Sequence, residues 1–411
     1  MSQIQATLDH LFRRESGRIV AYLTRYLGSN NLDLAENVVQ EALLRAVQTW
    51  PLQGIPENPS AWILRTAKNI AIDHVRREKK LSFEIDFDEL ESEEDERSFE
   101  KEISDDQLKL MFICCHPRLS RESQLALTLK TLCGFSVKEV AKAFLAKEET
   151  IAQRIVRAKQ KISEEKMKYE VPGPKEIAGR LESVLEVLYL LFNEGYSATE
   201  GDALFRKDLC DEAIYRTTLL AIHPVCKSPK ILALLSLMHL QASRFNSRLD
   251  TNGELLLLEE QNRSLWDFEH IQKGLYYLEL SAEGEDLTEY HLQAGIASCH
   301  ALAPTFEETD WERVLTYYDL LLMKAHSPVV ALNRCVALAM AKGFDEGLKE
   351  TEALKETPTL KNYYLLPATI AELNRRLGKL EIAKSYYEKA LNLVGTTPEK
   401  RLIEKRIKSC Q

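Results

Sequence analysis

The sequence predicts an all-α protein, with two small helical domains joined by an acidic linker and followed by a helical repeat domain. Three observations carry this. Only 16 Gly and 13 Pro interrupt 411 residues, and apolar residues recur mostly at three- and four-residue spacing. One carboxylate-rich stretch, FEIDFDELESEEDERSFEKEISDD at 83–106, separates two basic islands at 61–80 and 136–168. Near the C-terminus a helical motif with a Tyr-Tyr doublet occurs twice.

Hydrophobic residues make up 45% of the chain and charged residues 28%, enough apolar material to fill real cores. The length implies two or three domains. No apolar run is long enough to span a bilayer and no charged-then-apolar leader opens the chain, so a soluble cytoplasmic protein without a membrane partner is expected. The eight cysteines are scattered without CxxC spacing, which points to neither a zinc site nor a disulfide framework. Cys114 and Cys115 are adjacent. Side chains about 100° apart on a helix do not share one metal easily, so they read as buried thiols at the end of an apolar helix stopped by Pro117.

In residues 1–80, a first helix carries Leu8, Leu11, Phe12, Ile19, Tyr22, Leu23 and Tyr26 on one stripe, and Gly28-Ser29-Asn30 stops it. A second helix from near Asp33 turns Ala35, Val38, Ala42 and Ala46 inward, leaving Asp33, Asn37, Gln40, Glu41, Leu44 and Arg45 as an outward row suited to another protein. Residues 51–60, PLQGIPENPS, read as a stiff loop. The next helix faces Trp62, Ile63, Thr66, Ile70 and Val75 inward and presents Arg65, Lys68, Asn69, Asp73, Arg76 and Arg77. A rigid loop beside Trp62, an amide and several cations suits single-stranded DNA, whose phosphates the cations follow and whose unpaired bases stack or are enclosed.

LAENVVQEALLRAVQTW followed by ENPSAWILRTAKNIAIDHVRREKK resembles the second domain of the extracytoplasmic-function sigma factors, alternative sigma subunits of bacterial RNA polymerase. The resemblance implies that Asp33, Asn37, Gln40, Glu41, Leu44 and Arg45 meet core polymerase. It implies equally that the 53–60 loop pockets a flipped base of the −10 element, with Trp62, Arg65, Lys68, Asn69, Asp73, Arg76 and Arg77 along the strand.

In residues 105–170, Ser136 is expected to cap VKEVAKAFLA with Glu139 as its capping partner. A turn at 146–148 leads to the helix KEETIAQRIVRAKQKI, whose Ile151, Ile155, Ala158 and Ile162 face a core. Ala152, Gln153, Val156, Arg157 and Gln160 look outward, with Arg154, Lys159 and Lys161 on the flanks. Two helices joined this way form a helix-turn-helix, the second lying in the major groove. This resembles the fourth domain of sigma factors, which reads the −35 element. The resemblance brings Ala152, Gln153, Val156 and Arg157 to base edges and Thr150 and Arg154 to phosphates. Geometry favours Arg157 on guanine and Gln153 on adenine. The linker 81–104 is implied to thread toward the RNA channel as an acidic mimic of nucleic acid, a plain soluble spacer being the alternative.

VPGPKE at 171–176 marks a boundary, and residues 175–411 form the last domain. WERVLTYYDLLL at 311–322 aligns with LEIAKSYYEKAL at 380–391, and Gly343 falls in register with Gly378. Gly378, Leu380, Ala383, Tyr387 and Ala390 fit the second half of a tetratricopeptide unit, whose concave surface takes protein partners. Glu194, Tyr196 and Asp202 assemble no base, nucleophile and orienting group, so a structural turn is expected there. With YLLFNEGYSAT, the CCHP stretch and NRCVALAMA, the whole chain resembles an extracytoplasmic-function subgroup with a C-terminal tetratricopeptide-like domain. The expected protein is not an enzyme and needs no cofactor. Its partners are core RNA polymerase and promoter DNA, and it meets the nucleoid through polymerase. The rival reading is a helix-turn-helix regulator acting without polymerase.

Overall fold

A computed structural model describes residues 3–78, 96–144, 146–173, 175–196, 206–284 and 286–410. The described residues form helices and no strand, only an isolated bridge between Leu249 and Leu255. The chain divides into two compact units, Met1–Leu190 and Leu191–Gln411. The division falls at Leu190, inside a helix, rather than at the Pro-Gly boundary near 175.

The first unit begins with α1 (Gln3–Leu27), which ends at Gly28 in a left-handed conformation with φ 82°. Ile19, Tyr22, Leu23 and Tyr26 are buried as their spacing predicts, whereas the Leu8, Leu11 and Phe12 side chains lie outside the described residues. Helix α2 (Leu32–Gln53) runs through Pro51, so the expected loop at 51–60 starts only at Gly54. A proline in the last turn forfeits one hydrogen bond, its own, while the Gly54 N–H still closes on the Trp50 carbonyl at 2.9 Å. Helix α3 (Pro59–Glu78) starts with Pro at its first position, where a missing N–H is harmless, and Asn58 Oδ1 accepts from the Ala61 N–H at 3.1 Å.

Helix α4 (Glu96–Cys114) begins inside the segment expected as linker, and the rest of that stretch, 81–95, lies outside the described residues. Its Leu108, Leu110, Met111, Phe112 and Ile113 are all buried, so the last turns of the helix are enclosed on most sides. Helix α5 (Arg121–Leu127) widens into a π turn over 128–132. Then come α6 (Val137–Ala143) and α7 (Glu148–Glu164). The expected capping box is present: Ser136 Oγ accepts from the Glu139 N–H, and Glu139 Oε2 accepts from the Ser136 N–H at 2.8 Å. Helix α8 (Ile177–Tyr196) starts in this unit, where Arg180 donates to the Phe112 carbonyl at 2.6 Å.

The second unit continues with α9 (Lys207–Ile222), α10 (Pro229–Ala242), α11 (Phe268–Ser281), α12 (Glu289–Leu302), α13 (Trp311–Ala325) and α14 (Pro328–Lys342). It ends with α15 (Phe344–Ala353), α16 (Leu365–Arg376), α17 (Leu380–Leu391) and α18 (Thr397–Lys408). From α13 onward each helix packs mainly on its neighbours in sequence. The two Tyr-Tyr segments are both helices and share two buried positions. Val314 and Ala383 occupy one aligned buried position, and Leu321 and Ala390 another. Gly343 and Gly378 both take positive φ, 121° and 75°, a conformation that favours residues lacking a Cβ. Gly195 allows close approach of α8 to α9, since a Cβ there would meet Cys210 Sγ and the Arg206 carbonyl. Tyr196 stacks on Phe192 and lies under the Arg248 guanidinium at 4.1 Å. Asp202 lies outside the described residues.

Candidate nucleic-acid interface

Helix α7 is amphipathic because its isoleucines return every three to four residues. Ile151, Ile155, Ala158 and Ile162 are buried as expected, leaving the opposite face to solvent. Thr150, Gln153, Val156 and Arg157 are exposed, and Ala152 and Arg154 are half-buried. Val156 is 55% exposed. An apolar side chain offered to water between an amide and a guanidinium matches what a thymine methyl, an adenine and a guanine present in the major groove.

Helix α3 carries the second cationic face. Arg65, Asn69, Asp73, Arg76 and Arg77 are exposed, and Lys68 is half-buried with its ammonium 5.6 Å from the Tyr22 ring centre. Trp62 is half-buried and packs edge-on against Trp50, with ring centroids 5.5 Å apart. It is therefore partly core, with an edge left beside the loop 54–58.

Helix α2 sets out the predicted row. Asp33, Asn37, Gln40, Leu44 and Arg45 are exposed, and Glu41 is half-buried, 2.7 Å from Arg45. Leu44 is 56% exposed, and Val47, Leu52 and Ile55 extend the apolar part of this face, Leu52 at 86%. Sequence reasoning passed over these three. Helical continuation past Pro51 brings Leu52 onto the end of the helix, which a loop reading of 51–60 hides. Exposed apolar groups rimmed by polar ones mark protein-interaction surfaces.

One residue departs from expectation. Lys159, assigned to a solvent flank of α7, is buried, with its ammonium 2.6 Å from Asp33 and 2.9 Å from Glu36. Burial by itself would draw the Lys159 pKa down, but Glu36 and Asp33 outweigh it and hold it above the ordinary value. The Thr131 hydroxyl donates to the other oxygen of Glu36 at 2.5 Å. Asp33 is the solvent end of this cluster and Glu36 the buried end. The two sequence blocks expected as separate domains therefore meet in one unit.

All eight cysteines are buried free thiols. Burial pushes Cys115 up to about 11. The described residues contain no cluster of three or more potential metal ligands, and no described helix is long and apolar enough to cross a membrane.

A helix-turn-helix whose second helix exposes Gln153, Val156 and Arg157, together with a second cationic helix, is an arrangement suited to nucleic acid. Residues 11–81 match Sigma-70 region 2, and residues 109–162 match Sigma-70, region 4. These two regions support a sigma-70 family factor with a role in promoter recognition. Residues 180–282 match a family of unknown function, DUF6596. The chain is also similar to an uncharacterized protein of Rhizobium meliloti (strain 1021), 37% identical over 391 residues, covering 94% of this chain and 91% of the relative.

Proposed function

We propose that the protein is an alternative sigma factor of the extracytoplasmic-function type that binds core RNA polymerase and directs initiation at specific −35/−10 promoters. Residues 1–80 bind polymerase and the −10 element, residues 105–170 read the −35 element, and residues 175–411 form a tetratricopeptide-like domain that regulates activity or holds a protein partner. The observation that carries this reading is the pairing of two exposed faces within one sigma-70 protein, Gln153-Val156-Arg157 on α7 and Asn37-Gln40-Leu44-Arg45 on α2.

In this reading the chain does no covalent chemistry and works in the cytoplasm. It contributes binding free energy that holds polymerase at two DNA elements. Its net charge of −9 implies weak DNA binding by the free protein, with polymerase supplying most of the electrostatic grip.

The test is run-off transcription on fragmented genomic DNA by purified core polymerase with the full chain. Discrete transcripts that start downstream of a shared −35/−10 pair are expected. A duplex-DNA footprint without polymerase, together with no transcript and no core binding, would replace this reading with a polymerase-independent regulator.

A further inference from the structure

Four successive helix ends of the second unit bring two arginines, two indoles and an imidazole together. Arg244 follows α10, Arg263 and Trp266 precede α11, His300 lies in the last turn of α12, and Trp311 opens α13. The Arg263 and Arg244 guanidiniums lie 4.3 Å and 5.4 Å from the centre of the Trp266 ring. The His300 ring meets Trp311 edge-on, with centroids 5.3 Å apart. Arg263 Nη1 donates to the His300 carbonyl, and to the Ala303 carbonyl at 3.3 Å, which ties the two halves together.

The charges here are unmatched. Among the described residues neither guanidinium has a carboxylate within ion-pair distance. Arg244 Nε donates instead to the neutral Gln261 side chain at 3.2 Å. Burial and then Arg244 draw the Arg263 pKa down, with Glu307 opposing them, and the guanidinium stays charged regardless. Burial, Arg244 and Arg263 push His300 down to about 3, so its ring is neutral near neutral pH and adds no third cation. The donors are unmatched too. Arg263 Nε and Nη2, Trp266 Nε1 and Trp311 Nε1 are buried and meet no acceptor among the described residues, and His300 Nδ1 has no partner there either. Capping of α12 accounts for Arg263 Nη1 and leaves its other two nitrogens unexplained. The contact with the Trp266 ring face satisfies no N–H. Native structures rarely leave such buried donors without a partner.

Arginine and indole nitrogens only donate, so their complement must accept. A water molecule would still have to place its own two hydrogens among donors. A carboxylate or phosphate offers several acceptor oxygens and supplies the missing negative charge, and arginine grips both. We propose that Arg244, Arg263, Trp266, His300 and Trp311 form a binding site for the oxyanion of a small molecule, a carboxylate or a phosphate. The two guanidiniums hold the charge, and the indole N–H groups fix the oxygens. Arg244, Arg263 and His300 are half-buried, which gives the site a side toward solvent. All five residues belong to the second unit, and the proposal does not depend on the sigma reading.

The experiment titrates the full chain calorimetrically with inorganic phosphate and with citrate, each against sodium chloride at matched ionic strength, and follows thermal melting under the same conditions. Saturable binding of at least one probe is expected. It should raise the melting temperature by about 5 °C or more at a hundred times the dissociation constant. A response to phosphate, to citrate or to both supports the site and identifies its oxyanion class. Arg244→Gln, which leaves the cap on α12 in place, should weaken that binding about tenfold or more. Arg263→Gln should weaken it at least as much, and if loss of the cap unfolds that variant, Arg244→Gln decides. No binding of either probe beyond that of chloride overturns the proposal, as does binding unchanged in folded Arg244→Gln. Phosphate also stabilises proteins by exclusion from their surfaces, so an equal rise in melting temperature for wild type and Arg244→Gln counts against the site.

Discussion

The two units pair their charges in different ways. In the first, Lys159 pairs with carboxylates on a helix far earlier in the chain, across a junction between two sequence blocks. In the second, ion pairs mostly link neighbours. Arg334 joins Asp319 on the helix before it and Glu350 on the helix after it. Glu372 gathers Arg375 and Arg376 from its own helix and the Tyr387 hydroxyl from the next. Glu259 supplies a longer tie, pairing with Arg376 and Arg406. The first pattern ties together two sequence blocks that also pack through buried apolar residues of α1 and α4. The second adds stability helix by helix, as stacked arrays do. Changes in the first unit should therefore alter binding and leave the second unit's stability unmoved, and the reverse should hold for the second.

The largest expected effect tests the docking face. Leu44→Asp puts a carboxylate into the exposed apolar part of α2 and should weaken core-polymerase binding by about 100-fold, the scale of a hot-spot loss. Competition binding measures this, and an unchanged melting profile would separate it from misfolding. Next, Arg157→Ala should reduce holoenzyme occupancy of the cognate −35 element about 10- to 100-fold and relax sequence preference at one position. A footprint titration over a base-substituted promoter series gives both readouts.

In the second unit, Glu372→Gln removes the charged acceptor shared by Arg375, Arg376 and Tyr387, and should lower that unit's stability by about 1–2 kcal/mol with little change in DNA or polymerase binding. Glu372 is half-buried, which alone would raise its pKa, yet Arg375, Tyr387 and Arg376 hold it down at about 2 against an ordinary 4.5. Because the folded value is depressed, this contribution is complete above pH 4.5 and is lost as pH falls from there toward 2. Thermal melts across that window should converge for wild type and variant. Arg77→Ala, a phosphate-type contact on α3, should have the smallest effect, a sequence-independent weakening with the salt slope reduced by about 1. If Arg77→Ala instead changed sequence preference, the division between positioning and reading groups on α3 would be redrawn.

Much of this arrangement was legible in the chain. Periodic isoleucines placed the buried face of α7, and Gln153, Val156, Arg157 and Gln160 between them are exposed. Ser136 and Glu139 announced the start of α6 because a capping box is a purely local device. The Tyr-Tyr doublets found α13 and α17. What could not be read depended on partners distant in sequence. A lysine on the flank of an amphipathic helix looks the same whether it meets water or Glu36, so the inward turn of Lys159 left no local sign. Composition placed the start of α4 too late, since a carboxylate-rich stretch opens a helix at Glu96 and carries it into the apolar run that follows. Proline at 51 signalled a break that the last turn of α2 absorbs. For the second unit, periodicity conveyed architecture but no ligand chemistry.

Gly17 offers a graded handle. The space it leaves against the Leu132 carbonyl is filled progressively by Ala, Ser and larger side chains, each a thicker wedge at the same point. Alanine favours helix over glycine, so the first of these wedges does not loosen α1. A substitution series at this position would thus grade how closely α1 and the π turn can approach, read as a stepwise fall in the first unit's melting temperature.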